Sequence, residues 1–180
     1  MNKGIIIYKS KYGATKKYAD WLAEDIKYDL IEVSKAKTKQ VSQYQNIILC
    51  GAIYASGISG LSFLKKKITA LSNNNIAIFC VGASPYDENA FNAIKSHNLK
   101  YKLQNIPIFY GRGAWNESKM KFIDRTLCKM LQKVVSKKDP STYELWEKAL
   151  VNAFGKTCDW TDKIYLEPLI ALIHNWKYKQ

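Results

Sequence analysis

Two segments, Asn46 to Ala52 (NIILCGA) and Asn75 to Gly82 (NIAIFCVG), are apolar at almost every position. A strand with one face in water alternates apolar and polar side chains, so a strand without alternation has both faces covered. The covering layers come from helices that return the chain between parallel strands. The rest of the chain supplies the matching parts. Gly4 to Tyr8, Leu30 to Val33 and Asn105 to Tyr110 (NIPIFY) read as three further strands. Tyr18, Leu22 and Ile26 mark one face of a helix from Thr15 to Tyr28. Leu61, Leu64, Ile68 and Leu71 share a second helical face, and Asn89 to His97 forms a short third helix. The expected fold is α/β, a three-layer sandwich around a five-stranded parallel sheet.

Extra helices at the C-terminal side extend this minimum. Met120, Ile123, Leu127, Met130, Leu131 and Val134 define the apolar face of a helix from Asn116 to Ser136, and Thr142 to Phe154 forms another. Residues 116–155 thus read as a helical addition after the fifth strand, inside a single domain spanning 1–180. A last helix runs from Asp159 to Asn175, starting near Thr161, with Pro168 inside it and able to kink it.

The formal net charge is +13, and residues 1–136 hold 21 basic and 9 acidic side chains. Nearly all the cations are lysines; the arginines are Arg112 and Arg125. Readers of nucleic acid lean on arginine for bidentate contacts, so scattered lysine points to a solvated surface and no nucleic-acid partner is expected. Lys121, Arg125, Lys129 and Lys133 back the apolar face of the helix after strand five. That face is expected to pack on the domain, so no strong membrane association is expected. Cys50, Cys80, Cys128 and Cys158 stand alone, without a second cysteine or a histidine at ligand spacing, and no metal site is expected. His97 and His174 read as surface residues. The apolar stretch near the N-terminus is only Ile5 to Tyr8, too short for a secretion signal, which gives a cytoplasmic expectation.

Glycine-containing loops follow strands one, three, four and five, and ligands of open α/β sheets bind at the carboxyl ends of strands. Ser10-Lys11-Tyr12-Gly13-Ala14-Thr15 joins the first strand to the first helix. Free backbone N–H groups and the helix dipole favour an anion there, Ser10 and Thr15 add hydroxyls, and Gly13 permits close approach. The loop is neither a triphosphate-binding P-loop nor a dinucleotide fingerprint. An ordinary Thr-capped turn fits it equally well on these grounds.

KSKYGATKKYADWLAEDI resembles the phosphate loop and first helix of flavodoxin-like proteins, in particular the flavodoxin-domain group that includes the bacterial flavodoxin-type protoporphyrinogen oxidases. GAIYASGISG is similar to that family's first flavin-ring loop. GRGAWNESKMKFIDRTLCKMLQK is similar to its segment after strand five, with the Asp-Arg pattern, and CDWTDKIYLEPL to its closing helix. The resemblance covers nearly the whole chain and implies a flavodoxin-like three-layer sandwich that binds flavin mononucleotide (FMN). Ser10, Lys11, Tyr12, Gly13, Ala14 and Thr15 would hold the phosphate. Many flavodoxins have a hydroxyl residue where Tyr12 stands, but its N–H can still serve. Tyr54, Ala55, Ser56 and Gly57 would line one side of the ring, with Gly57 as the peptide free to flip. Gly82, Ala83, Ser84, Pro85 and Tyr86 would form the second ring loop, with Asp87 at its edge. Gly111, Arg112 and Gly113 would lie near the outer rim. Two departures concern the protoporphyrinogen oxidases: IYASG lacks their arginine, and SPYDEN is shorter than their basic segment.

Tyr54 and Tyr86 can stack on a flavin or pack on their own domain. Arg112, between two glycines, can bind an anionic substrate or a partner's carboxylate, or form an internal ion pair. No nucleophile and base pair stands out, so no catalytic residue is assigned. The expected function is an electron-transfer flavoprotein serving a redox partner, acidic to match the chain's cationic charge. The alternative is an FMN-dependent oxidoreductase acting on a small molecule, protoporphyrinogen oxidase-like or quinone reductase-like.

Overall fold

The computed structural model describes residues 3–177. In chain order the elements are β1 (Gly4–Lys9), α1 (Ala14–Ile26), β2 (Asp29–Glu32), α2 (Thr38–Val41), β3 (Asn46–Tyr54), β4 (Gly57–Ile58), α3 (Leu61–Lys67) and β5 (Asn75–Gly82). There follow α4 (Glu88–Asn98), β6 (Ile108–Arg112), β7 (Ala114–Asn116), α5 (Phe122–Val135), α6 (Leu145–Ala153), β8 (Thr157–Asp159) and α7 (Glu167–Lys177). The main sheet runs β2-β1-β3-β5-β6 and all these pairings are parallel. The strand order reverses direction beside β1, between β1 and β3, so a crevice opens there at the carboxyl ends.

The two non-alternating strands are buried on both faces, as their sequences require. Ile47, Leu49, Ile76, Ile78 and Cys80 point to the layer holding Leu61 and Leu64 of α3. Ile48, Cys50, Ala77, Phe79 and Val81 point the other way, against Tyr18 and Leu22 of α1 and Leu169 and Ile173 of α7. Each fully buried Ile or Leu contributes about 1.5–3 kcal/mol. A third cluster, Trp115, Val135, Leu150 and Ala153, is the core of the C-terminal addition.

Several expectations need correction. Strand five is followed at once by a two-stranded antiparallel ribbon, β7 with β8, which holds the two ends of the addition together. The helix expected from Asn116 starts only at Phe122, because Asn116 Oδ1 accepts from Lys119 N and caps a 3-10 turn first. The last helix starts at Glu167 rather than near Thr161. Asp162 caps a preceding 3-10 turn, so Pro168 falls in the helix's first turn, where its missing N–H costs nothing and no kink follows. Of the expected apolar face, Met120 packs against the third cluster, but Ile123, Leu127, Met130, Leu131 and Val134 of α5 are exposed. Phe122 is 82% exposed and Ile123 70%, while Asp124 and Val135 face inward. Among the described residues no helix is long and apolar enough to cross a membrane.

Candidate functional site

The loops after β1, β3, β5 and β6 meet at one end of the sheet. Gly113 N donates to Gly82 O at 2.7 Å, joining the turn after β6 to the loop after β5. A Cβ on Gly113 would stand 3.4 Å from the Ala14 side chain and 2.8 Å from Val81, so the start of α1 lies against the same turn. Tyr18 of α1 donates to Arg112 O at 2.6 Å.

The loop after β1 is built to leave donors free. Gly13 adopts φ 102° at the N-cap of α1, a region that side chains rarely enter. Ser10 Oγ accepts from Gly13 N at 3.2 Å and closes the turn. The first helical bond runs from Lys17 N to Gly13 O, so Ala14, Thr15 and Lys16 N–H have no partner among the described residues. No side chain caps this terminus and no acid stands in its first turn. Thr15 is 2% exposed, and its hydroxyl, which makes no hydrogen bond among the described residues, retains contact with solvent. Three aligned N–H groups, an unengaged hydroxyl and the positive end of a dipole suit a phosphate. The residues present fit that group, and the capped-turn alternative fails because Thr15 caps nothing.

The loop after β3 is a tight hairpin between β3 and β4. Ala55 (φ 46°) and Ser56 (φ 62°) take the two positive-φ positions, while Gly57 pairs with Tyr54 in the ribbon. The local strain therefore sits at Ala55 and Ser56 and not at Gly57, where the flipping peptide was expected. Tyr54 is 45% exposed.

In the loop after β5, Tyr86 remains half exposed and its ring packs 5.5 Å from Phe91 and 5.9 Å from Tyr110. Tyr110 donates to Ser84 O at 2.5 Å. Burial pushes its phenol well above the usual range, so it stays a neutral donor that pins the loop. Asp87 is the N-cap of α4, accepting from Ala90 N at 2.7 Å, so its carboxylate serves the helix.

Asp124, which sequence reasoning left out of the site, ties the β1 and β3 loops to α5. Its carboxylate meets Lys11 Nζ at 2.5 Å, accepts from Tyr54 OH at 2.8 Å and also accepts from Tyr12 OH. Lys11, then Tyr12, pull the Asp124 carboxyl down to about 2. In turn, Asp124 raises the Lys11 ammonium above its usual range. Tyr12 OH accepts from Lys121 N at 3.1 Å, so the loop and the start of α5 are laced together. The available signal was the Asp124-Arg125 pair. Arg125 binds the carbonyls of Glu117, Ser118 and Met120 and so shapes the turn that delivers Asp124.

Arg112 makes no ion pair among the described residues. Its guanidinium lies 4.0 Å from the Trp160 ring centroid, and Nε donates to Ala83 O at 3.3 Å. It borders a cavity of about 340 Å³, beside Pro85 of the β5 loop and with Lys148 and Lys156 also on the wall. His97 and His174 are exposed.

A family model described as the flavodoxin domain matches residues 5–143. No curated protein matches the chain. Among solved structures, the Trp repressor binding protein from Bacillus subtilis is similar at 14% identity and TM-score 0.48, covering 62% of this chain and 85% of that one. Flavodoxin 1 from Bacillus cereus is similar at 13% identity and TM-score 0.43, covering 86% of this chain and 100% of that one. Two-electron reduced flavodoxin from Megasphaera elsdenii is similar at 14% identity and TM-score 0.42, covering 59% and 82%.

Proposed function

The chain belongs to the flavodoxin-domain family, and from that premise we propose that it binds FMN at the carboxyl ends of β1, β3 and β5 and carries electrons to or from an acidic protein partner. The observation that carries this reading is the start of α1, with the N–H groups of Ala14, Thr15 and Lys16 and the Thr15 hydroxyl all without a partner among the described residues. FMN supplies one- and two-electron redox chemistry when bound. The chain's own residues bind and orient. Ser10 to Thr15 take the phosphate, Tyr54 and Tyr86 offer half-exposed rings to the isoalloxazine, and Asp124 neutralises Lys11 while holding α5 over the loops. The single anion cradle at the start of α1 matches the one phosphate of FMN.

Charge sets the expected potential. The chain is at +13, a field that favours the more negative, fully reduced cofactor. Close to the cradle the field is tempered, because Lys16 pairs with Asp20, Lys17 with Asp159 and Lys11 with Asp124. An aggregate effect of about 1 kcal/mol raises the potential of the second electron by roughly 40 mV over that of a neutral surface. A redox titration of the FMN-loaded protein at two ionic strengths checks this. The potential should fall as salt rises, and reduction by an acidic donor should slow. A salt-independent potential with salt-independent rates would refute the electrostatic reading.

The Arg112 cavity favours a second reading, an FMN-dependent oxidoreductase acting on a small anionic molecule. Its recognisable cations are Arg112, Lys148 and Lys156. Reoxidation of the reduced protein by a small anionic acceptor without any protein partner, slowed in Arg112→Ala, would select this reading over the first.

A further inference from the structure

The side of α5 that faces solvent carries six large apolar residues, Phe122, Ile123, Leu127, Met130, Leu131 and Val134, each at least 41% exposed. They lie along a helix of 14 residues, about 21 Å at 1.5 Å per residue. Single exposed apolar residues are ordinary, but a continuous row of this length on one helix is not. The other side of α5 is already committed, through Asp124 to Lys11 and Tyr54 and through Val135 to the core of the addition. The helix is therefore fixed with its apolar row outward.

The rim of that row is cationic. Lys119, Lys121, Lys129, Lys133 and Lys137 are exposed and make no ion pair among the described residues. The acids of the same stretch are engaged: Asp124 is buried, Asp139 caps a turn, and Glu117 accepts from Gly155 N. Apolar residues flanked by lysines, with no competing carboxylate, match a surface that is apolar beneath and anionic above. A second copy is disfavoured, since its lysines would meet these lysines on a chain of net charge +13.

We propose that α5 docks the protein on anionic lipid bilayers, its apolar row entering the headgroup region and its lysines meeting lipid phosphates. The expectation of weak membrane association stood on this face being packed away, and the exposed row removes that ground. The binding asks nothing of the flavin, so it stands or falls apart from the cofactor reading.

The test is co-sedimentation of the purified full chain, with and without FMN, with phosphatidylcholine vesicles that contain or lack phosphatidylserine. Binding is expected to the serine-containing vesicles and to weaken as salt rises. Leu127→Gln with Met130→Gln should lower the partition coefficient about tenfold or more. Lys129→Gln with Lys133→Gln should lower it about tenfold as well, on the anionic vesicles only. All four positions are exposed, and circular dichroism confirms that the variants fold. Protein that stays in the supernatant, or variants that pellet like the unsubstituted chain, would overturn the proposal. So would a concentration-dependent dimer that the Leu127 and Met130 changes abolish while vesicles bind nothing, which would assign the face to a second copy.

Discussion

Replacing Ser10 and Thr15 together by alanine weakens FMN binding by about 2–4 kcal/mol, taking each charge-assisted hydrogen bond as roughly 1.5–3 kcal/mol and allowing for non-additivity. The two residues act differently. Ser10 Oγ already accepts from Gly13 N, so its loss both removes a donor to the phosphate and loosens the turn. The Thr15 hydroxyl makes no hydrogen bond among the described residues and retains contact with solvent. No hydrogen bond of the folded chain is lost with that hydroxyl, so Thr15→Ala should leave the flavin-free protein about as stable as before. Loss of affinity without loss of stability marks a residue placed for a ligand. Isothermal titration with FMN, beside urea unfolding of the flavin-free chain, reads both quantities. Unchanged affinity in the double variant would remove the phosphate from this loop.

Asp124→Asn is the second large effect, because one carboxylate joins three elements. It loses the ion pair to Lys11 and weakens the hydrogen bonds from Tyr12 and Tyr54. The Lys11 side chain is 40% exposed and can turn to water, so the cost is set at about 1–3 kcal/mol and not at the full price of breaking a buried pair. The sign with pH follows from the carboxyl's position. Its value in the folded chain is depressed to about 2 from the ordinary 3.8. The stabilisation is therefore complete above the ordinary value and disappears as pH falls from there towards about 2. The difference in urea midpoint between the two proteins should be constant near neutrality and close on acidification. Comparing the two at each pH cancels the other depressed carboxylates, Asp139, Glu147 and Asp159, the last of which Lys17 holds at about 2. A difference that persists unchanged at the acid end would show that Asp124 acts by packing and not by charge.

Much of the fold was legible because the strands Asn46–Tyr54 and Asn75–Gly82 are apolar without alternation, as strands covered on both faces are. The phosphate loop was legible for a similar local reason: glycine, hydroxyls and a helix start lie within six residues, Ser10 to Thr15. What escaped was either non-local or lacked its usual sign. Asp124 reaches Tyr12 across 112 residues of chain, a separation that no spacing rule spans. The β3–β4 hairpin puts Ala55 and Ser56 at positive φ, where Asn and Gly normally announce the turn. Asp159 and Asp162 each bind backbone just ahead, at Thr161 and Ile164, which imitates a helix start. Amphipathicity identified the apolar face of α5, but the period of a face does not say whether protein or solvent lies against it.

The start of α1 is proposed to hold a flavin through its phosphate. Titrating the flavin-free chain with FMN and with riboflavin, which lacks the phosphate and is otherwise the same, isolates that contact. One FMN should bind per chain, and riboflavin should bind more weakly by about 100-fold or more, the worth of two or three charge-assisted hydrogen bonds. Equal affinity for the two flavins, or binding of neither, would contradict it.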